Sequence, residues 1–400
     1  MSVLDHLSDE RLWNAFYEYK RSLSCPKRFA EELRGFIREK RYLPVCETMR
    51  TSFPLPVKSV LSKAGSDKKR TVYTYPAPEN TVLKLLTWYL LRQADGLFSD
   101  GLFSFRPGRT AKDAVRRLLR ARGISAMYGY KTDIHDYFNS VPVERLLPML
   151  RDALQEDGAL YAFLASLLLE PDVIDRGKRA REKKGIMAGT PQSAFYANLF
   201  LSDLDRTFSE KNVFYMRYSD DILLFAETEE EREEYISFIR SFLSDRQLTV
   251  NPDKEQRIAP GEPFVYLGFS FDGRKVDVAP MSVVKMKRKM RRKRDALARW
   301  KKRNGLGGER AARAFIRVFN RKLFEVPGDN ELSWTKWYFP VINTSEGLHA
   351  IDLYAQDCIR FLLSGTHTKK RFDVRYETLK EMGYRSLVHE YYDSRKQEEN

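Results

Sequence analysis

The stretch Phe214-Tyr215-Met216-Arg217-Tyr218-Ser219-Asp220-Asp221-Ile222-Leu223-Leu224-Phe225 decides how the chain folds. Two short runs, rich in aromatic and branched residues, flank a polar centre. That pattern predicts a strand, a tight turn and a second strand. Such a turn presents Asp220 and Asp221 side by side at a hairpin tip. Aspartate is an ordinary turn residue, so the pair alone says little. A second acidic strand end stands upstream, at Lys131-Thr132-Asp133-Ile134. Carboxylates from two strand ends can converge on Mg²⁺, a hard cation that takes oxygen ligands. Two such ions roughly 4 Å apart can stabilise the attacking and leaving oxygens of an in-line phosphoryl displacement.

The rest of the composition suits a globular protein with a polyanionic partner. Of 400 residues, 42% are hydrophobic and 31% charged, enough for a sizeable core and two or three domains. The formal net charge is +15, and the excess is unevenly spread, which points to nucleic acid rather than to mere solubility. Three cysteines, Cys25, Cys46 and Cys358, stand in no Cys-x-x-Cys spacing and argue against a disulfide framework. A reducing, cytoplasmic setting is expected. No charged-then-apolar leader opens the chain. The longest apolar run, Ala159 to Leu169, is too short to span a bilayer and predicts a core helix, so no membrane partner is expected.

With its order and flanks, Tyr218-Ser219-Asp220-Asp221 resembles the Tyr-x-Asp-Asp box of reverse transcriptases, following a motif like that family's first palm aspartate motif. Phe103-Ser104-Phe105-Arg106-Pro107-Gly108-Arg109-Thr110 resembles the Phe-Arg-Pro-Gly box of group II intron and related bacterial reverse transcriptases. The resemblance covers residues 60 to 270 well and the ends weakly. It implies an α+β right-hand polymerase, with fingers, a palm built on an antiparallel sheet, and a helical thumb. The implied divisions are an N-terminal helical region (1–60), fingers (61–130), palm (131–275), and a helical thumb with the C-terminal region (276–400).

The resemblance also assigns roles. Asp133, Asp220 and Asp221 would hold two Mg²⁺ ions. Lys254, in Leu248-Thr249-Val250-Asn251-Pro252-Asp253-Lys254, would approach the pyrophosphate leaving group as general acid or as plain charge; the ordinary alternative is a surface lysine. Lys69 and Arg70, in a basic-tipped hairpin from Ser59 to Pro76, would clamp the triphosphate, against the alternative of a solvated charge cluster. Arg106 would stand near the template and nucleotide pocket. The backbone at Ile134 would face the triphosphate. Phe138 would act as a steric gate against a ribose 2′-hydroxyl, or else simply pack in the core. Gly189 and Ser193 fall at the family spacing of a loop-then-helix motif, where Gly185 and Gly189 would let the backbone approach a base pair. Leu267 and Gly268, in Phe264-Val265-Tyr266-Leu267-Gly268-Phe269, match a primer-grip hairpin.

One departure is expected to matter. Where many members carry Pro-Gln-Gly before that helix, Met187-Ala188-Gly189 is taken as the matching tripeptide, so the glutamine is missing. This form is most like the defence-associated, abortive-infection branch, which implies an associated noncoding RNA in antiphage defence. The implied partners are an RNA template or noncoding RNA, dNTPs and a DNA product; an oligomer is possible. Untemplated or protein-primed DNA synthesis, RNA synthesis by the same site, and a catalytically silent RNA-binding scaffold stay open.

Elsewhere the pattern is mainly helical. Ser8 is expected to cap a helix carrying Leu12, Trp13, Phe16 and Leu23, in a region that in the family supports the fingers or binds RNA. Thr81 to Gln93, Ala111 to Arg120, Glu144 to Leu169 and Glu227 to Leu243 read as helices. Arg176 to Lys184 reads as a basic connector. Between Lys285 and Arg303, twelve Lys or Arg residues accompany one acid, Asp295. That run reads as a thumb helix gripping duplex backbone, with Met286, Met290, Leu297 and Trp300 on one face. Trp334, Trp337, Tyr338 and Phe339 read as core aromatics, with stacking on unpaired bases as the alternative.

Overall fold

The computed structural model describes residues 1–23, 25–62, 69–325 and 333–399. The chain divides into two compact units, one of Met1–Leu23 with Lys27–Glu262, the other from Pro263 onward. The tip of the first expected hairpin, Lys63 to Lys68, lies outside the described residues.

The first unit carries two four-stranded sheets. One is built from β1 (Val57–Ser62) and β2 (Lys69–Thr74); the other begins with β3 (Tyr128–Asp133). The first is completed by β4 (Asp172–Asp175) and β5 (Lys178–Arg181), in the order β2-β1-β4-β5. The second adds β6 (Phe214–Tyr218), β7 (Asp221–Ala226) and β8 (Gln256–Ile258), in the order β6-β7-β3-β8. The central strands of the second sheet bury nearly every side chain. This fits a sheet whose apolar runs, rather than strict alternation, mark the core. Helices Ser202–Glu210 and Glu229–Asp245 pack on it. Phe208 stacks on Tyr215 with ring centroids 4.8 Å apart and meets Phe238 edge-on at 5.7 Å.

Several local expectations need correction. Arg176 to Lys184 is not a connector: β4 and β5 pair as a hairpin, and β4 adds to β1 in parallel, Val57 opposite Ile174. Lys58 bridges to Glu182 at 2.8 Å, and the Tyr73 hydroxyl donates to the same carboxylate at 3.0 Å. Ser8 is not the cap of the first α-helix. It ends a 3₁₀ turn, Val3–Ser8, that Ser2 caps, and Asp9 caps the helix Glu10–Ser22 by accepting from the Arg11 amide at 2.8 Å. The expectation that helices fill Glu144 to Leu169 holds: they are Val143–Ala153 and Gly158–Leu169, the second started by Asp157, which accepts from the Leu160 amide. Leu160, Phe163, Leu164, Leu167 and Leu168 make it a core helix, as its apolar run predicts.

The second unit contains a three-stranded antiparallel sheet, β9 (Phe264–Tyr266), β10 (Phe269–Asp272) and β11 (Lys275–Val278), in the order β11-β10-β9. Its helices include Pro280–Arg303, Gly308–Phe324 and Glu346–Ser364, which pack together. The basic helix buries Val283, Met286, Met290, Arg294 and Leu297 as one stripe, and leaves most of its Lys and Arg residues exposed. Trp337 and Tyr338 pack on Phe269, and Phe339 meets Tyr391 edge-on. No helix among the described residues is long and apolar enough to cross a membrane.

Candidate active site

Antiparallel register brings the acids together. β3 runs outward and ends at Asp133; β7 starts inward at Asp221, directly opposite it. β6 and β7 close over a two-residue turn, Ser219-Asp220, with Tyr218 paired to Asp221. Ser219 takes φ +61°, the sign that primed hairpin turns require at their first central residue. The Ile134 amide donates to the Asp220 carbonyl at 3.2 Å and ties the turn to the end of β3. As a result, one carboxylate oxygen from each of Asp133, Asp220 and Asp221 lies within 4.8 Å of the others. Asp133 is buried and the other two are half-buried.

Ionisation within this cluster is perturbed by its own carboxylates. Burial raises the Asp221 pKa first, and the neighbouring Asp220 and Asp133 carboxylates add to it, to about 6. Asp220 is also raised, by burial and then by Asp133. Like charges this close resist ionising together. Lys254 Nζ donates to Asp133 Oδ2, and Asn251 Nδ2 approaches Oδ1 at 3.4 Å. Burial works against the Lys254 charge, but the hydrogen bond to Asp133 and the fields of Asp133, Asp221 and Asp220 outweigh it and raise its pKa. Three hard oxygen donors converging from two strand ends fit a divalent cation such as Mg²⁺.

The other expected site residues fall into two groups. Lys69 and Arg70 are exposed on β2. Phe138, in the short helix Tyr137–Ser140, is half-buried and meets the exposed Phe105 ring edge-on, centroids 6.5 Å apart. Leu267 and Gly268 form the two-residue turn between β9 and β10 in the second unit. Both have positive φ, +48° and +86°, as a type I′ hairpin turn requires.

The remainder are engaged within the protein. Arg106 is buried and grips Asp95 with two nitrogens, at 2.7 and 3.0 Å, while Nη1 donates to the Ser99 carbonyl at 2.6 Å. Its guanidinium braces the loop. The Ile134 amide, expected to face a triphosphate, pairs with Asp220. Ser193 donates its hydroxyl to the Thr190 carbonyl at 2.6 Å. Gly185 and Gly189 both lie close against protein backbone. A Cβ on Gly185 would stand 2.4 Å from the Phe138 carbonyl oxygen, and one on Gly189 3.0 Å from that of Tyr73.

The expected loss of the glutamine is also corrected. The helix begins at Ser193, so the tripeptide at its start is Pro191-Gln192-Ser193. Gln192 is buried at the cap position, and serine replaces only the final glycine. Met187-Ala188-Gly189 lies one turn earlier, where the Ala188 carbonyl accepts from the Tyr73 amide at 2.8 Å. Sequence reading passed over Ser104, Asn198, Asp205, Arg217 and Asn251. Arg217 carried a signal: a charge inside an apolar strand, next to the turn, needs a buried partner.

Comparison with known proteins adds the following. The family described as "Reverse transcriptase (RNA-dependent DNA polymerase)" matches residues 61–271, more than half of the chain. A search of curated proteins returns no match. Among solved structures, apo telomerase from Candida tropicalis is similar at TM-score 0.49 and 10% identity, over 82% of this chain and 59% of that one. Telomerase from Candida albicans, in complex with a TWJ fragment of telomeric RNA, is similar at TM-score 0.45 and 11% identity, over 85% and 68%. Against the Candida tropicalis apo telomerase truncated from its C-terminal domain the values are 0.43 and 10%, and the chain spans 55% of that protein's length.

Proposed function

Because the chain belongs to the reverse transcriptase family, we propose that it copies an RNA template into DNA by nucleotidyl transfer at Asp133, Asp220 and Asp221. The observation that carries this reading is the convergence of the three carboxylates within 4.8 Å. Two Mg²⁺ ions at these acids would supply charge stabilisation to the attacking and leaving oxygens. The protein's own groups do the rest. Asp133 and Asp220 hold their oxygens toward one point, and Asp221 adds a third donor from the first residue of β7. The Lys254 ammonium, already turned into the cluster, neutralises charge building on the pyrophosphate side. Lys69 and Arg70 offer exposed cations to a triphosphate. Phe138, backed by Phe105, presents a ring that limits room beside a sugar 2′ position. The basic helix Pro280–Arg303 and the turn Leu267-Gly268 take the thumb and primer-grip roles, within the fingers, palm and thumb divisions given above.

With Gln192 at the start of its helix, untemplated and protein-primed synthesis lose the feature that motivated them, and templated copying is favoured. The test is to incubate the purified chain with a primed RNA, Mg²⁺ and either dNTPs or NTPs. Template-complementary DNA, made from dNTPs in preference to NTPs, is expected. Product that forms without template, or no product from any primed strand, contradicts the reading.

A further inference from the structure

Beneath the catalytic turn lies an ion pair with no access to solvent. Arg217, on β6, and Asp205, in the helix Ser202–Glu210, are each 0% exposed. Arg217 Nε donates to Asp205 Oδ1 at 2.7 Å and Nη2 to Oδ2 at 2.6 Å; the Tyr215 hydroxyl donates to Oδ1 at 2.8 Å. The guanidinium has donors left, and they reach two other segments. Nη1 donates to the Ser219 carbonyl at 3.0 Å, and Nη2 to the Asn198 carbonyl at 3.2 Å.

The other side of Ser219 is held too. Its amide donates to Ser104 Oγ at 2.8 Å. That hydroxyl donates to Asn198 Oδ1 at 3.2 Å, and Asn198 Nδ2 returns a bond to the Ser104 carbonyl at 2.9 Å. Both peptide groups of Ser219 are therefore fixed by buried partners. This residue also carries the positive φ that a non-glycine rarely holds. The peptide that accepts from Arg217 is the one that leads into Asp220.

We infer that Arg217, oriented by Asp205, is a positioning residue for the metal site: it fixes the Ser219–Asp220 peptide and thereby sets where the Asp220 carboxylate stands. The inference rests on reading the three aspartates as a cation centre. Packing alone does not call for this pair. Burying two charges carries a desolvation cost, and apolar side chains of similar volume fill such a space as well or better. What an apolar pair cannot do is donate to the Ser219 carbonyl. Partners of this kind, one step removed from a ligand, typically change metal affinity by about 10- to 100-fold when removed.

That difference gives the test. Arg217→Met, Asp205→Leu and Tyr215→Phe are combined, so that no buried charge or hydroxyl is stranded, and folding is followed by thermal melting. Mn²⁺ alone, without nucleic acid, is titrated by electron paramagnetic resonance into this variant, the wild type and Asp220→Asn. The expected result is a folded variant whose Mn²⁺ affinity is weaker by about 10- to 100-fold, with kcat for primer extension lowered and the KM for primed template unchanged. A folded variant that binds Mn²⁺ like the wild type overturns the inference and leaves the cation centre standing. A wild type that binds no more Mn²⁺ than Asp220→Asn overturns both. If the triple variant does not fold, Arg217→Lys decides: it keeps a cation beside Asp205 but gives up the planar fork that also reaches the Ser219 carbonyl, so weaker Mn²⁺ binding is expected, and unchanged binding overturns the inference.

Discussion

Asp221 meets two carboxylates and little water, and its protonation follows from that. Its pKa is raised from 3.8 to about 6, first by burial and then by Asp220 and Asp133. A carboxyl raised in the fold holds its proton more tightly folded than unfolded. Its contribution to stability is therefore present below about pH 4 and is lost as pH rises toward 6. Above that window the ionised cluster carries a repulsive cost that a bound cation would offset. Proton and metal compete for the same oxygens. The expected outcome is Mn²⁺ affinity about tenfold weaker at pH 5 than at pH 7, measured by titration; affinity flat across that range contradicts the assignment. Little of this residue-level detail was legible in the sequence. The motif named the three acids, but a charged residue in a motif reads as a ligand contact. Arg106 is expected near the template and nucleotide pocket on that basis, and the sequence carries no sign that the fold also pairs it with Asp95. The pairing of Arg217 with Asp205 was hidden because nothing in linear spacing says which two charges meet in a core.

Strands and helices were more legible than side-chain roles, for a physical reason. β3, β6 and β7 lie where the apolar runs place them, since a buried sheet needs apolar side chains on both faces. β4 and β5 escaped notice because Lys178–Arg181 is an exposed edge strand, and edge strands carry the charges that make them look like linkers. The loop before Ser193 was misread by four residues, because Gly189 and Gln192 both sit in plausible turn sequence and only the observed helix start separates them. That loop also makes the most exposed test of the packing. Gly185 takes φ +50°, and a methyl added there would stand 2.4 Å from the Phe138 carbonyl oxygen and 2.7 Å from the Asn139 backbone. Gly185→Ala is expected to destabilise the chain by roughly 1–3 kcal/mol, the usual cost of overpacking, and to lower the thermal midpoint. An unchanged midpoint means the loop stands elsewhere.

At the scale of the whole molecule, a basic chain of 400 residues organises two units, and the one with the acids carries most of the family match. Its net charge of +15 and its acid cluster pull in opposite directions. On the proposed reading, a net positive charge would favour a polyanion, and the three aspartates would hold divalent cations where it reacts. The proposed DNA synthesis requires those acids to act as one centre. The most direct measurement is the rate of primer extension on a primed RNA by Asp220→Asn against the wild type, with RNA affinity and melting temperature matched. The expected result is a loss greater than about 100-fold, beyond what disturbing a ligand's outer partner costs, with RNA binding intact. An Asp220→Asn variant that extends the primer at the wild-type rate contradicts it.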